Sequence, residues 1–179
     1  MIMRLLIFLI LAGASLTTFA KIPPMYEEVA KEQKVPVTLF YALVLNESRS
    51  VVDSDGKRRV LPWPWTINHQ GKGHYFQTKE QAVAHGKKLI ASGDKLFDVG
   101  LGQVNWYHHG EKFISLESAF DPKTNLTVAA KFLREQYNRA ECSTWELAIG
   151  CYHRPGQRSK DKIIAKTYSK RVITLWVAL

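Results

Sequence analysis

Glu47 is the residue of this sequence whose type and setting most directly suggest chemistry. It is the first acidic residue after a run in which Val37, Leu39, Phe40, Ala42, Leu43, Val44 and Leu45 leave almost no polar face. A helix apolar all round is a buried one. Burial disfavours a charged carboxylate, and the negative end of a helix dipole disfavours it further, so both effects raise the pKa. A carboxyl raised to about 6 donates a proton at neutral pH, as the acid in glycosidic bond cleavage must. The same side chain turned to water would be an ordinary helix-end glutamate, and this position alone does not separate the two readings. Asp53, Asp55 and Asp98 are the residues that would supply a second carboxylate. His69, His74, His85, His108 and His109 have no metal-ligand spacing with a matching carboxylate, and no CxxC is present, so neither metal nor cofactor is expected.

The elements that must position these groups are mostly helical. Pro23 and Pro24 open a short helix over Met25 to Gln33, and the apolar run Val37 to Glu47 follows. Val51 to Val60 turns to Asp, Gly, Lys and Arg and reads as an exposed loop. Trp65 to Asn68 and His74 to Gln77 flank a Gly-rich centre and predict an inserted β-hairpin. Thr78 with Gln81 forms a capping-box pattern for a helix ending near Gly93, and Ser143 with Glu146 forms another for a helix through Trp145, Ile149 and Tyr152. Asp121 and Pro122 cap and start a helix with Leu126, Ala129, Ala130, Leu133 and Tyr137 on one face. Ile164, Tyr168, Val172 and Trp176 mark a C-terminal helix. The fold class expected is mainly α with a small inserted β-hairpin.

The chain has 179 residues, room for one core but not comfortably for two. Arg4, the apolar run Leu5 to Ala12 and the small residues Thr18 and Ala20 have the layout of a secretory signal cut after Ala20. That predicts a signal peptide over 1–20, one domain over 21–179 and a periplasmic location. Ala14 stands where a lipid-bearing cysteine would be needed, so lipidation is not expected. The net charge of +9 suits an anionic wall or membrane surface better than nucleic acid in an exported chain. Cys142 and Cys151 lie close together in the mature part, as a disulfide or as two buried thiols; sequence leaves both open.

Four segments occur in a telling order: Glu47 and Ser48 after the apolar helix, GLGQVN (Gly100 to Asn105), FDPKTNLTVAAKFL (Phe120 to Leu133) and AIGCYHRPG (Ala148 to Gly156). Together they resemble the family 1 lytic transglycosylases, whose pattern is an ES pair, a GLMQ-type loop and a tyrosine in an AYN-like segment on a goose-lysozyme-like SLT domain. The resemblance covers nearly the whole mature chain. It is closest to a subset carrying a PWPWT-like segment and a YH pair, here Leu61 to Asn68 and Tyr152 with His153, whose members often accompany conjugative or type IV secretion systems. The chain departs from the pattern at Gly102, where Met is usual and would mainly pack, and in the roughly fifty residues between Glu47 and the GLGQ loop.

The resemblance implies a peptidoglycan lytic transglycosylase acting as a monomer on glycan strands, with Glu47 catalytic and Tyr152 beside it. Ser48, Gly100, Leu101, Gln103, Asn105 and Tyr152 would contact substrate. Trp63 and Trp65, stiffened by Pro62 and Pro64, would present rings to sugars or plug the base of the hairpin. One carboxylate suffices in such an enzyme, because the muramic acid 6-hydroxyl replaces water and leaves a 1,6-anhydro end. The competing readings are a lysozyme-like hydrolase, with Asp98 the foremost second carboxylate, and a non-catalytic wall-binding or secretion-assembly protein.

Overall fold

The computed structural model describes residues 22–54 and 56–179. The expected signal segment and Asp55 lie outside the described residues. Among the described residues, eight α-helices and six short strands follow in the order α1 (Pro24–Glu32), α2 (Val37–Ser48), β1 (Arg49–Ser54), β2 (Lys57–Pro62), β3 (Thr66–His69), β4 (Lys72–Tyr75), α3 (Lys79–Ala91), β5 (Phe97–Val99), β6 (Val104–Asn105), α4 (Trp106–His109), α5 (Leu116–Ala119), α6 (Pro122–Tyr137), α7 (Trp145–His153) and α8 (Ser159–Val177). The mainly α fold expected from the sequence is the fold observed. No described helix is long and apolar enough to cross a membrane.

The core forms where the sequence has no polar face to offer. Leu39, Phe40, Ala42, Leu43 and Val44 of α2 are wholly buried, with α1 and α8 packed against the helix. Helix α6 contributes Leu126, Ala129, Ala130 and Leu133 to the same core, and α7 contributes Ala148 and Ile149. Helices α7 and α8 cross closely at Gly150, where a Cβ would come within 3.1 Å of the Ala165 carbonyl oxygen.

Two helix starts show how local chemistry sets register. Thr78 accepts the Gln81 backbone N–H as expected, but the Gln81 amide oxygen accepts from Gln77 rather than Thr78. The cap of α7 is Thr144, which accepts from the Leu147 N–H, one residue beyond the expected Ser143. Both residue types cap well, so the choice falls to whichever hydroxyl meets a free N–H of the first turn.

The β content exceeds the expected hairpin. Strands β4, β3, β5 and β6 form a four-stranded antiparallel sheet in that order, with β3 and β4 as the anticipated pair. The segment read as a loop is instead the β1–β2 hairpin, in register Val51 with Val60 and Asp53 with Arg58. Ser54 pairs with Lys57 across two residues, and Gly56 has φ 68°. Asp-Gly is a strong two-residue hairpin signal, and here it outweighs the polar composition that suggested a loop.

Candidate active site

Helix α2 runs through the core and delivers Glu47 from its last turn to the floor of a cleft of about 790 Å³. Asn68 of β3, Asp98 of β5, Gln103 and Asn105, Phe132 of α6, and Tyr152 and His153 of α7 line the same cleft. Burial pushes the Glu47 carboxyl up to about 8; the nearby charge of Asp98 adds to the rise, while a hydroxyl donated by Tyr168 and the charge of Arg171 oppose it. At neutral pH Glu47 is therefore largely protonated and able to donate.

The hydroxyl that reaches Glu47 comes from α8. Tyr168 Oη donates to Glu47 Oε1, and the Tyr168 ring stacks on His153 at 4.4 Å with the planes 4° apart. Sequence reading placed Tyr168 only on the packing face of the last helix. Its i, i+4 spacing with Ile164 and Val172 signals burial and says nothing of the hydroxyl's destination. Tyr152, expected beside Glu47, is buried in the cleft wall, and desolvation, with the nearby charges of Glu47 and Asp98, raises its pKa. Its hydroxyl, however, donates to the Gly102 carbonyl at 2.6 Å.

That bond ties the Gly100–Asn105 loop to α7, and others hold it against α6. Asn125 is almost wholly buried; its Oδ1 accepts the Gly102 N–H at 2.8 Å, and its Nδ2 donates to the carbonyls of Val99 and Ala119 at 3.0 and 2.9 Å. A Cβ at Gly102 would lie 2.4 Å from the Ala129 Cβ, and one at Gly100, where φ is 75°, would lie 2.4 Å from Asn125 Nδ2. The position taken as a packing site for Met thus has no room for even a methyl group, because the loop is drawn onto the helix. Asn125 was not singled out from the sequence; its signal is a polar side chain directly beside the apolar face begun by Leu126.

The loop also fixes Gln103. Its backbone sits in the left-handed region at φ 47°, an uncommon conformation for a side chain of this kind. Its Nε2 donates to Gly100 O at 2.8 Å and Thr66 O at 3.3 Å, which leaves the amide oxygen to accept from a ligand. Asn105 and Asn68 turn instead to Asp98: Asn105 Nδ2 donates to its Oδ1 at 2.8 Å, and Asn68 Nδ2 to its Oδ2 at 3.3 Å. Burial raises the Asp98 carboxyl against these two donors.

The remaining expected residues stand back from the cleft. Ser48 is fully buried and donates to the Val44 carbonyl, and Leu101 is in the core. Gly100 uses its N–H on Thr66 O at 2.9 Å, so Gly100 and Leu101 serve as the loop's frame. Trp63 and Trp65 form an edge-to-face pair 5.4 Å apart outside the cleft lining, with Trp63 Nε1 donating to Phe76 O at 2.7 Å across the hairpin base. Asp53 lies opposite Arg58 in the β1–β2 hairpin, also outside the lining. Cys142 and Cys151 are bonded, with Cα atoms 6.4 Å apart, tying the turn before α7 to the helix that carries Tyr152. Among the described residues, no group of three or more His, Cys, Asp or Glu side chains is arranged to hold a metal ion.

A raised carboxyl on a cleft floor, held by a tyrosine and flanked by a fixed amide, is suited to protonating a bridging oxygen. No curated protein and no solved structure matches the chain. One family model does match, over residues 24–174, from the start of α1 to within the last turns of α8, and the chain belongs to the family it describes, the transglycosylase SLT domain.

Proposed function

We propose that this protein is a lytic transglycosylase in which Glu47 alone serves as acid and then base, cleaving the bond between N-acetylmuramic acid and N-acetylglucosamine without water. Family membership makes the activity of the transglycosylase type and peptidoglycan the substrate. The observation that carries the finer reading is the state of Glu47 and of Asp98, the carboxyl whose charge reaches it. Glu47, at about 8, holds a transferable proton at neutral pH. Asp98 has each oxygen engaged by an amide N–H, a poor arrangement for placing an attacking water.

Glu47 then protonates the bridging oxygen as the C1–O bond breaks. The resulting carboxylate takes the proton from the muramic acid 6-hydroxyl as that oxygen bonds to C1, closing a 1,6-anhydro ring and restoring the acid. The substrate's acetamido group steadies the positive charge at C1. Tyr168 favours the carboxylate stage by donating to Glu47. Gln103 offers its amide oxygen to sugar hydroxyls or N–H groups, and Tyr152 fixes the loop that presents it.

Export to the periplasm and service beside a conjugative or type IV secretion apparatus complete the reading. They rest on the Arg4 to Ala20 segment and on the LPWPWTIN and YH runs. A hydrolytic reading keeps one supporting observation, since Asp98 lines the cleft and its charge reaches Glu47. The test is turnover of purified glycan strands: Glu47→Gln should lower the rate by about 10³-fold with the fold unchanged. Near wild-type cleavage by that variant would remove Glu47 from the mechanism.

A further inference from the structure

The loop that joins α7 to α8 brings charge into the cleft, and none of the chemistry above uses it. Asp161, in the first turn of α8, is only 4% exposed, and it faces two guanidinium groups: Arg158 Nε donates to Oδ2 at 2.9 Å, and Arg154 Nε lies 3.8 Å from Oδ1. A Cβ at Gly156 would sit 2.5 Å from Asp161 Oδ2, so glycine lets the loop close over the carboxylate. All four residues line the cleft that holds Glu47.

Two cations share one anion here, so one positive charge is left over. Both contacts run through Nε, which leaves the Nη edges, the part of a guanidinium that grips a carboxylate in a bidentate pair. The Arg154 and Arg158 side chains are 48% and 88% exposed, open to an incoming ligand. Arg139, on the same cleft, differs: it spends its donors on Glu141, Gln136 and the Pro155 carbonyl. Burial and the Arg171 and Arg154 charges hold the His153 pKa down, which disfavours its charged form. The loop also adjoins the chemistry, since His153, next in sequence to Arg154, stacks on the ring that holds Glu47.

We propose that Arg154 and Arg158, set by Asp161, form a subsite for the carboxylate-bearing substituent on the 3-position of muramic acid, and so make the cleft select acidic glycan strands over neutral ones. The inference rests on the reading of peptidoglycan as substrate and adds which part of it is read. Two sources supply the carboxylate: the lactyl ether itself, once its peptide is removed, and the peptide stem. The subsite need not touch the reacting atoms, so Arg154 and Arg158 are binding residues.

The experiment measures equilibrium binding of the Glu47→Gln protein, with and without Arg154→Gln and Arg158→Gln, to three probes of matched length. The probes are peptide-bearing glycan strands, amidase-stripped strands that keep the lactyl carboxylate, and neutral chitin oligosaccharides. The parent should prefer acidic strands to chitin by about tenfold at low salt, and the double variant should lose that preference while still binding chitin. Equal affinity of the parent for acidic and neutral strands, or an unchanged ratio in the double variant, would overturn the proposal. Tight binding of stripped strands assigns the site to the lactyl carboxylate; tight binding of peptide-bearing strands alone assigns it to the stem. Raising the salt should erode the preference in the parent, which keeps the test decisive if the double variant folds poorly; a salt-independent preference would also count against it. Glycan cleavage by the wild-type protein is scored separately, so failure of the activity leaves the binding ratio to judge the subsite by itself.

Discussion

Two loops line the same cleft and are held in different ways. The Gly100–Asn105 loop is held by neutral groups: Asn125 of α6 bonds three backbone groups, Gly102 leaves no space for a Cβ, and the Tyr152 hydroxyl of α7 donates to the Gly102 carbonyl. The Arg154–Arg158 loop is held by one buried carboxylate and shows its charge to solvent. The first arrangement fixes position and the second fixes charge. A reaction that needs a proton delivered to one atom relies on the first, whereas discrimination between acidic and neutral ligands relies on the second. Substitutions in the first loop's supports should therefore cost stability and turnover together, and substitutions at Arg154 and Arg158 should cost affinity for acidic ligands, with a stability loss confined to the Asp161 carboxylate they leave unpaired.

The largest effect expected on the rigid side is that of Asn125→Ala. It leaves the Gly102 N–H and the Val99 and Ala119 carbonyls without their buried partner and should destabilise the protein by about 2–4 kcal/mol. Thermal unfolding measures it, and a loss below about 0.5 kcal/mol would mean that the loop is held by other means. Removing the Cys142–Cys151 bond by double serine substitution should cost somewhat less, about 2–3 kcal/mol for this short loop. Glycan turnover should fall with it if the bond steadies Tyr152, and denaturant titration beside a turnover assay separates the two effects.

Smaller, and more specific, is the effect of Tyr168→Phe. Its hydroxyl lowers the Glu47 pKa, so its loss should move that pKa further above about 8. The rate of the wild-type protein should fall as pH rises through about 8, because the acid loses its proton. In the Phe variant that limb should shift to higher pH while the rate at neutral pH drops by roughly tenfold, the carboxylate stage being less favoured. The same linkage acts on stability. The folded-state pKa of Glu47 is raised, so folding is opposed increasingly as pH climbs from the unfolded value towards about 8. Glu47→Gln should accordingly gain roughly 10 °C in Tm over wild type at pH 9 relative to pH 5. A limb unmoved by Tyr168→Phe would show that Glu47 is not the titrating group.

What the sequence disclosed follows the same division. Helix α2 was legible because Val37 to Leu45 has no polar face, and a helix with no polar face has one place to be. The end of that helix and the Gly-rich loop were legible as a pair because their residue types and order resemble a known family. Contacts across the fold were not. Tyr168 lies 121 residues from Glu47, and its spacing in the last helix looks the same whether its hydroxyl finds a carboxylate or water. Asn125 reads as one more polar residue near a helix start, although its side chain organises a loop 23 residues away. The β1–β2 hairpin is hidden by its charge, since polar composition suggests a loop although Asp-Gly is a hairpin turn. Trp63 and Trp65 fitted a sugar platform and a hairpin plug equally well by sequence; their geometry is that of rings packed on each other, with an indole N–H spent on Phe76.

The most direct test of the central claim is the mass of the glycan ends released from purified peptidoglycan strands by the wild-type protein. With Glu47 as the one working carboxyl and the muramic acid 6-hydroxyl as the attacking group, the ends should be 1,6-anhydromuramic acid, lighter by one water than hydrolytic ends. A digest dominated by reducing muramic acid ends would contradict the account and make Asp98, the cleft carboxyl whose charge reaches Glu47, the residue that places a water.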